Sequence, residues 1–216
     1  SLPGRGGTVT VAGGPAAASS RALDLLRESG ALLEGHFLLS SGRHAGRYVQ
    51  CAKLFQDPPR AAEACAALAD LVRASTGDDK PFDVVVGPAL GAVVMAYELA
   101  RALGVRGVFA ERDPEKGFAL RRGFSIEAGE RILVAEDVVT TGGSVRELLA
   151  ALADSRPASL AVASLVDRSG GDSPFGDHPF HSLARLAIPS WEEGNCPLCA
   201  EGAGPAVKPG SRPDLA

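Results

Sequence analysis

Apolar and polar positions along this chain alternate between two periods, one suited to helices and one to buried strands. Ala22, Leu23 and Leu26 share one face of a helix predicted over Ser20–Glu28, which Gly30 ends. Short strands over Gly35–Ser40 and Arg47–Cys51 flank a turn at Ser41-Gly42-Arg43. Asp57-Pro58-Pro59 supplies a capping acid and prolines for the first turn of an alanine-rich helix reaching about Arg73. Beyond a polar loop at Thr76–Lys80, apolar runs predict buried strands at Phe82–Val86, Gly107–Glu111, Arg131–Ala135 and Leu160–Val166. Helices are predicted between them at Ala92–Leu103 and Ser144–Leu152. Asp113–Gly123 is charged and reads as a mobile loop. Strands alternating with helices imply an α/β fold, a twisted and mainly parallel sheet flanked by helices. In such sheets ligands sit beyond the carboxyl ends of the strands.

A length of 216 residues allows one domain with a small appendage. The first 18 residues, rich in Gly, Ala and Ser, read as a disordered tail. A net charge of −4 argues against a general nucleic-acid binder. The longest apolar stretch, Val84–Ala100, is broken by Pro88, two glycines and Glu98, so no membrane span is expected. The start of the chain lacks the apolar core of a secretory signal, and four cysteines are too few for a disulfide scaffold. A cytoplasmic enzyme is the resulting expectation.

The chemistry concentrates in Glu136-Asp137-Val138-Val139-Thr140-Thr141-Gly142-Gly143-Ser144. Gly142 and Gly143 permit a sharp turn with backbone N–H groups close to a ligand. Those groups, the hydroxyls of Thr140, Thr141 and Ser144, and the positive end of the following helix make a phosphate cradle. Ser144-x-x-Glu147 has the form of a capping box for that helix. Carboxylates at the lip would repel phosphate, so Glu136 and Asp137 suit sugar hydroxyls or a metal ion. Ala89, Leu90 and Gly91 follow another strand and offer a second anion loop. Arg112, Lys116, Arg121 and Arg122 read either as a solvated charged hairpin or as a lid whose cations stabilise a departing anion. Arg168 ends the strand at Leu160–Val166, where its guanidinium suits a planar carboxylate. The alternative is a surface Arg paired with Asp167 or a neighbour.

The acid pair and cradle resemble the signature of type I phosphoribosyltransferases. Gly35-His36-Phe37-Leu38-Leu39-Ser40-Ser41-Gly42-Arg43-His44, Tyr48 and Leu54-Phe55 extend the resemblance to the orotate enzymes of that family. Cys196-Pro197-Leu198-Cys199 and Lys208-Pro209-Gly210-Ser211-Arg212 look like the tail of one bacterial subgroup. The resemblance implies transfer of the phosphoribosyl group of phosphoribosyl pyrophosphate (PRPP) to N1 of orotate, with Mg2+. It implies a single phosphoribosyltransferase domain over 19–216: a hood at 19–56 with part of 170–216, and a core at about 57–168. Glu136 and Asp137 would bind the ribose hydroxyls, with Asp137 the catalytic acid-side residue, and Thr141 to Ser144 the 5′-phosphate. Thr140 would lie near both phosphate and base. Ala89, Leu90 and Gly91 would form the pyrophosphate loop. Arg168 would pair with the orotate carboxylate, and Lys53, Leu54 and Phe55 would line the base side, mainly through backbone. Arg112 and Lys116 would be lid cations completing the partner subunit's site in a homodimer. No metal ligand is implied beyond PRPP itself. A purine or xanthine phosphoribosyltransferase and a non-catalytic PRPP-sensing regulator share the cradle. The hood segment and Arg168 argue against the first, and the lid cations and acidic balance against the second.

Departures from the family pattern are local. The pyrophosphate loop lacks a Tyr-Lys pair, Arg112 is followed by Asp113, and Phe118 stands where a lid His is common. Cys196-x-x-Cys199 fits half a zinc site, a redox pair or a reduced structural pair, the last being the default. His178 and His181 are the nearest further ligands in sequence. His44 is read as a surface residue or a phosphate contact.

Overall fold

A computed structural model describes residues 16–39 and 41–209. The expected tail at 1–15, Ser40, and Gly210, Ser211 and Arg212 lie outside them. The chain divides into two units. Of the described residues, one takes in 16–22 together with Ala62–Ala187, the other Leu23–Ala61 and 188–209.

In chain order the elements are α1 (Ala16–Glu28), β1 (Leu32–Leu38), β2 (His44–Val49), α2 (Ala52–Phe55), α3 (Pro58–Thr76), β3 (Val84–Pro88), α4 (Val93–Leu103), β4 (Arg106–Asp113), β5 (Gly117–Leu120), β6 (Arg131–Val139), α5 (Gly143–Ala153), β7 (Ser159–Asp167), β8 (Phe180–Arg185), β9 (Ser190–Trp191) and α6 (Pro197–Ala200). Helix α1 begins four residues before the expected start, so 16–18 are helical rather than tail.

The larger unit is built on a six-stranded sheet in the order β5-β4-β3-β6-β7-β8. All neighbours are parallel except β4 and β5, which form an antiparallel hairpin. The parallel strands are apolar on both faces because helices cover both. Val84, Val86, Ile132, Val134 and Val162 meet Val145, Leu148 and Leu152 of α5 in one core. Helix α4 lies against β3 and β4 so closely that a Cβ at Gly87 would stand 2.7 Å from the Ala92 carbonyl oxygen. Helix α3 buries Ala61, Ala64, Cys65, Leu68, Ala69 and Val72, the spacing of a single helical face. Burial and the charge of Glu98 push the Cys65 thiol up to about 12, which makes it inert.

Three expectations change here. Asp113–Gly123 is a structured hairpin, because Arg112 and Asp113 pair with Phe118 and Gly117 across the strands. Strand β6 continues through Glu136 and Asp137 to Val139, held by β7. Strand β8, for which no strand was expected, adds a sixth strand to this sheet beside β7.

The smaller unit holds a three-stranded sheet ordered β1-β2-β9. The chain after α6 returns along β1, where Val207 exchanges backbone bonds with His36 and Leu38. Leu54 and Phe55 are buried and Lys53 is exposed. His36 and His44, the latter expected at the surface, are both buried and bonded to each other at 2.9 Å. His178 and His181 belong to the other unit, where His181 meets the Ser75 hydroxyl at 3.0 Å.

Candidate active site

Parallel packing brings the ends of β3, β6 and β7 to one edge of the larger sheet, and the predicted loops with them. Residues 140–142 join β6 to α5 and enclose a cavity of about 300 Å³ lined by residues 138–145 with Glu136 and Glu147. Only Gly142 takes the left-handed backbone, at φ 73°; it is the N-cap of α5, and Gly143 is already helical. The first N–H groups of α5 have no acceptor inside the helix and face the cavity with the positive end of its dipole. Thr140 and Thr141 are exposed at the rim. Together these groups fit a phosphate.

The capping box does not form. Helix α5 starts one residue before Ser144, with no side-chain cap. Ser144 and Glu147 instead turn to Arg112. Its guanidinium donates to the Ser144 hydroxyl at 2.9 Å and forms an ion pair with Glu147. The buried Phe118 ring lies 4.3 Å beneath it, so Phe118 supports the cation. Arg112 therefore stands at the edge of the cradle in its own chain. Lys116, at the exposed hairpin turn, lines a separate apolar cavity of about 610 Å³ beside α5. Arg121 and Arg122 are paired with Asp113 and Glu111 within the hairpin.

Glu136 lines the cavity, and Asp137, next along the strand, accepts a bond from the Val138 N–H at 2.8 Å. Burial, then the charge of Asp137 and the hydrogen bond they share, raises Glu136 to about 8. Burial also raises Asp137. Two crowded carboxyls hold a proton until something compensates their charge, and sugar hydroxyls or a cation do so. Between about pH 4.5 and 8 the native Glu136 binds a proton that the unfolded chain has lost, so ligand-free stability falls as pH rises through that window. Glu136→Gln is expected to flatten this slope and to raise the thermal midpoint at pH 8 relative to the parent. Thermal unfolding at pH 6 and pH 8 checks it; parallel slopes would show Glu136 to be no buried acid.

Arg168 begins the segment after β7, and its N–H donates to the Val139 carbonyl at 2.7 Å, beside the end of β6. The buried carboxylate of the preceding Asp167 takes Arg185 at 2.8 Å. Ala89 donates to the Ala110 carbonyl at 2.8 Å, and Leu90 and Gly91 are exposed at the end of β3. Lys53, Leu54 and Phe55 lie in the smaller unit.

Sequence reasoning missed the groups that brace the cradle. Arg146 donates to the Thr141 carbonyl at 2.6 Å, and Pro174 and Phe175 pack against Gly142. Arg146 carried a weak signal, a basic residue in the first turn of an anion-binding helix. Pro174 and Phe175 carried none, being far away in sequence.

A phosphoribosyl transferase domain model matches residues 52–194. An orotate phosphoribosyltransferase of Caldicellulosiruptor bescii is 51% identical over 190 residues, covering 88% of this chain and 96% of that protein. One from Heliobacterium modesticaldum is 52% identical over 191 residues, covering 88% and 96%. Among solved structures, Mycobacterium tuberculosis orotate phosphoribosyltransferase in complex with inorganic phosphate aligns at TM-score 0.59 with 26% identity, over 79% of this chain and 96% of that one.

Proposed function

Because the chain belongs to the phosphoribosyltransferase family, in its orotate branch, we propose that its cradle holds the 5′-phosphate of PRPP while the acid pair holds the ribose. The reaction transfers the phosphoribosyl group to N1 of orotate, giving orotidine 5′-monophosphate and pyrophosphate in pyrimidine biosynthesis. The carrying observation is the juxtaposition of two raised carboxyls with an N–H-lined cavity of about 300 Å³, roomy enough for a sugar phosphate, at the end of one parallel strand.

In this reading the backbone of 141–144 and the hydroxyls of Thr141 and Ser144 fix the phosphate. Glu136 and Asp137 accept hydrogen bonds from the ribose hydroxyls, and their charge favours the cationic sugar of the transition state. Backbone groups of Ala89, Leu90 and Gly91 receive pyrophosphate. Arg112 neutralises the leaving group from the cradle's edge. Arg168 pairs with the orotate carboxylate, Thr140 sits between phosphate and base, and Lys53, Leu54 and Phe55 serve the base mainly through backbone. Orotate is already an anion, so binding and orientation replace a strong general base. The hard oxygens of Glu136 and Asp137 would suit a Mg2+ ion brought in mainly by PRPP, and the ion would supply positive charge for the departing pyrophosphate. Orotate absorbance followed with PRPP and Mg2+, against adenine, hypoxanthine and uracil, tests the reading. Turnover of a purine instead of orotate would move the substrate, and tight PRPP binding without turnover would indicate a sensor.

Leu90, Val94 and Tyr97 leave an exposed apolar stripe at the start of α4, 87%, 49% and 67% accessible. Such a stripe supports self-association as a homodimer. Lys116 is then the cation offered to the other subunit, while Arg112 serves its own. Mixing Asp137→Asn chains with Lys116→Ala chains is expected to restore about a quarter of wild-type activity, since half the dimers become hybrids with one intact site. Hybrids that form without regaining activity would place Lys116 in its own subunit's site. No helix among the described residues is long and apolar enough to cross a membrane. The free thiols of Cys51 and Cys65 suit the reducing cytoplasm.

A further inference from the structure

The smaller unit gathers four ligand groups that the transfer reaction does not use. His36 lies on β1 and His44 opens β2, while Cys196 is the N-cap of α6 and Cys199 lies within it, about 150 residues further along. One ligand atom from each lies within 4.8 Å of all the others. Nε2 of His36 is 2.9 Å from Nδ1 of His44 and 3.6 Å from each sulfur, and the Cys199 sulfur is 3.3 Å from Nδ1 of His44. A tetrahedral zinc ion with Zn–N of about 2.0–2.1 Å and Zn–S of about 2.3 Å needs ligand separations of roughly 3.3–3.8 Å. To take the ion, the two rings would part by a few tenths of an ångström and the widest pair, at up to 4.8 Å, would draw in by about one ångström.

The surroundings fit a metal better than the alternatives. Nδ1 of His36 faces the Gly204 carbonyl at 2.8 Å. A carbonyl only accepts, so Nδ1 carries the proton and Nε2 keeps a lone pair for the cluster. That is the arrangement by which a protein orients a ligating His. His36, His44 and Cys196 are buried, so the site is shielded from water on most sides. The cysteines are free thiols, and a redox pair would leave two buried imidazoles without a purpose. Two thiolates and two neutral imidazoles balance the charge of Zn2+.

We propose that His36, His44, Cys196 and Cys199 hold a structural zinc ion. Four protein ligands leave no open position for a substrate, so the ion is a clamp rather than a catalyst. It ties the β1–β2 hairpin to the chain after β9. Those two segments are joined only through the whole of the larger unit, so the tie closes a very long loop. A unit this small gains most from such a clamp.

The test uses the full chain, expressed without a histidine tag and passed through gel filtration with a weak chelator. Elemental analysis is expected to find about one zinc per chain. Cobalt exchanged into the site is expected to give thiolate charge-transfer bands and the intense visible bands of a tetrahedral ion. Removing the metal with a strong chelator is expected to lower the thermal midpoint by about 5 °C or more. Chains free of zinc after growth with added zinc, a pale octahedral cobalt spectrum, or a Cys196–Cys199 disulfide in the purified protein would each overturn the proposal. So would a cobalt spectrum unchanged in Cys199→Ser. The metal content and spectrum of the unaltered chain decide the matter even if that variant fails to fold. Neither readout depends on the substrate assigned to the active site.

Discussion

Asp137→Asn is expected to lower kcat by about 100-fold or more while leaving the fold intact. The asparagine is nearly isosteric, and its side-chain oxygen keeps the 2.8 Å bond from the Val138 N–H. What it loses is the negative charge beside a sugar that becomes cationic only in the transition state. A loss of that kind lowers kcat and kcat/KM together rather than raising KM for PRPP. Stability moves the other way. Burial already holds the Asp137 carboxyl above its ordinary range, and its charge opposes that of Glu136. Neutralising it removes a buried charge and the pressure it puts on Glu136 to stay protonated, so the thermal midpoint at neutral pH is expected to hold or rise. Steady-state kinetics beside thermal unfolding check both halves. Turnover near that of the parent would remove Asp137 from the reaction, and loss of turnover through unfolding would make its role structural.

Gly142→Ala is expected to damage the cradle through two independent penalties. The residue sits at φ 73°, a backbone region that costs a side chain about 1–2 kcal/mol. The added Cβ would also stand 2.8 Å from the Phe175 ring and 3.0 Å from Pro174. Both rings back the loop and neither is the loose end of a flexible chain. A combined destabilisation of about 2–4 kcal/mol is expected, with KM for PRPP raised about tenfold as the N–H groups lose their aim. Gly143→Ala is the control for stability, since its Cβ would meet nothing closer than 3.8 Å and its backbone is ordinary helix. Equal destabilisation of the two variants would show that left-handed geometry and close packing at Gly142 do not hold the cradle together.

The contrast between these two glycines shows where reading the sequence stops. Gly-Gly after a strand announces a tight anion loop. Which of the two bears the turn depends on Pro174 and Phe175, more than thirty residues away. The Ser144-x-x-Glu147 pattern shows the same limit. As a local motif it is a capping box, but a stronger partner, the Arg112 guanidinium on a neighbouring strand, takes both side chains. Charge in 113–123 reads as mobile loop because nothing local discloses that Arg112 will lie on Phe118 and pair across a hairpin. Strand β8 escapes notice because its alternation is short and its justification is β7.

By itself the sequence determined the alternation of strands and helices, the parallel sheet they build, and the strand–loop–helix that cradles phosphate. These follow from periodicity, from glycine's freedom and from the N–H groups that any helix start exposes, all of which act within a few residues. It also carried the family, because the acid pair, the cradle and the 35–44 segment are contiguous words. Tertiary structure decided what each side chain faces. Long-range packing turned Arg112 onto the cradle, crowded Glu136 against Asp137 so that both carboxyls are raised, and carried His36 and His44 to Cys196 and Cys199 from opposite ends of the chain. Such pairings are set by which surfaces meet when the core closes, and no spacing along the chain records them.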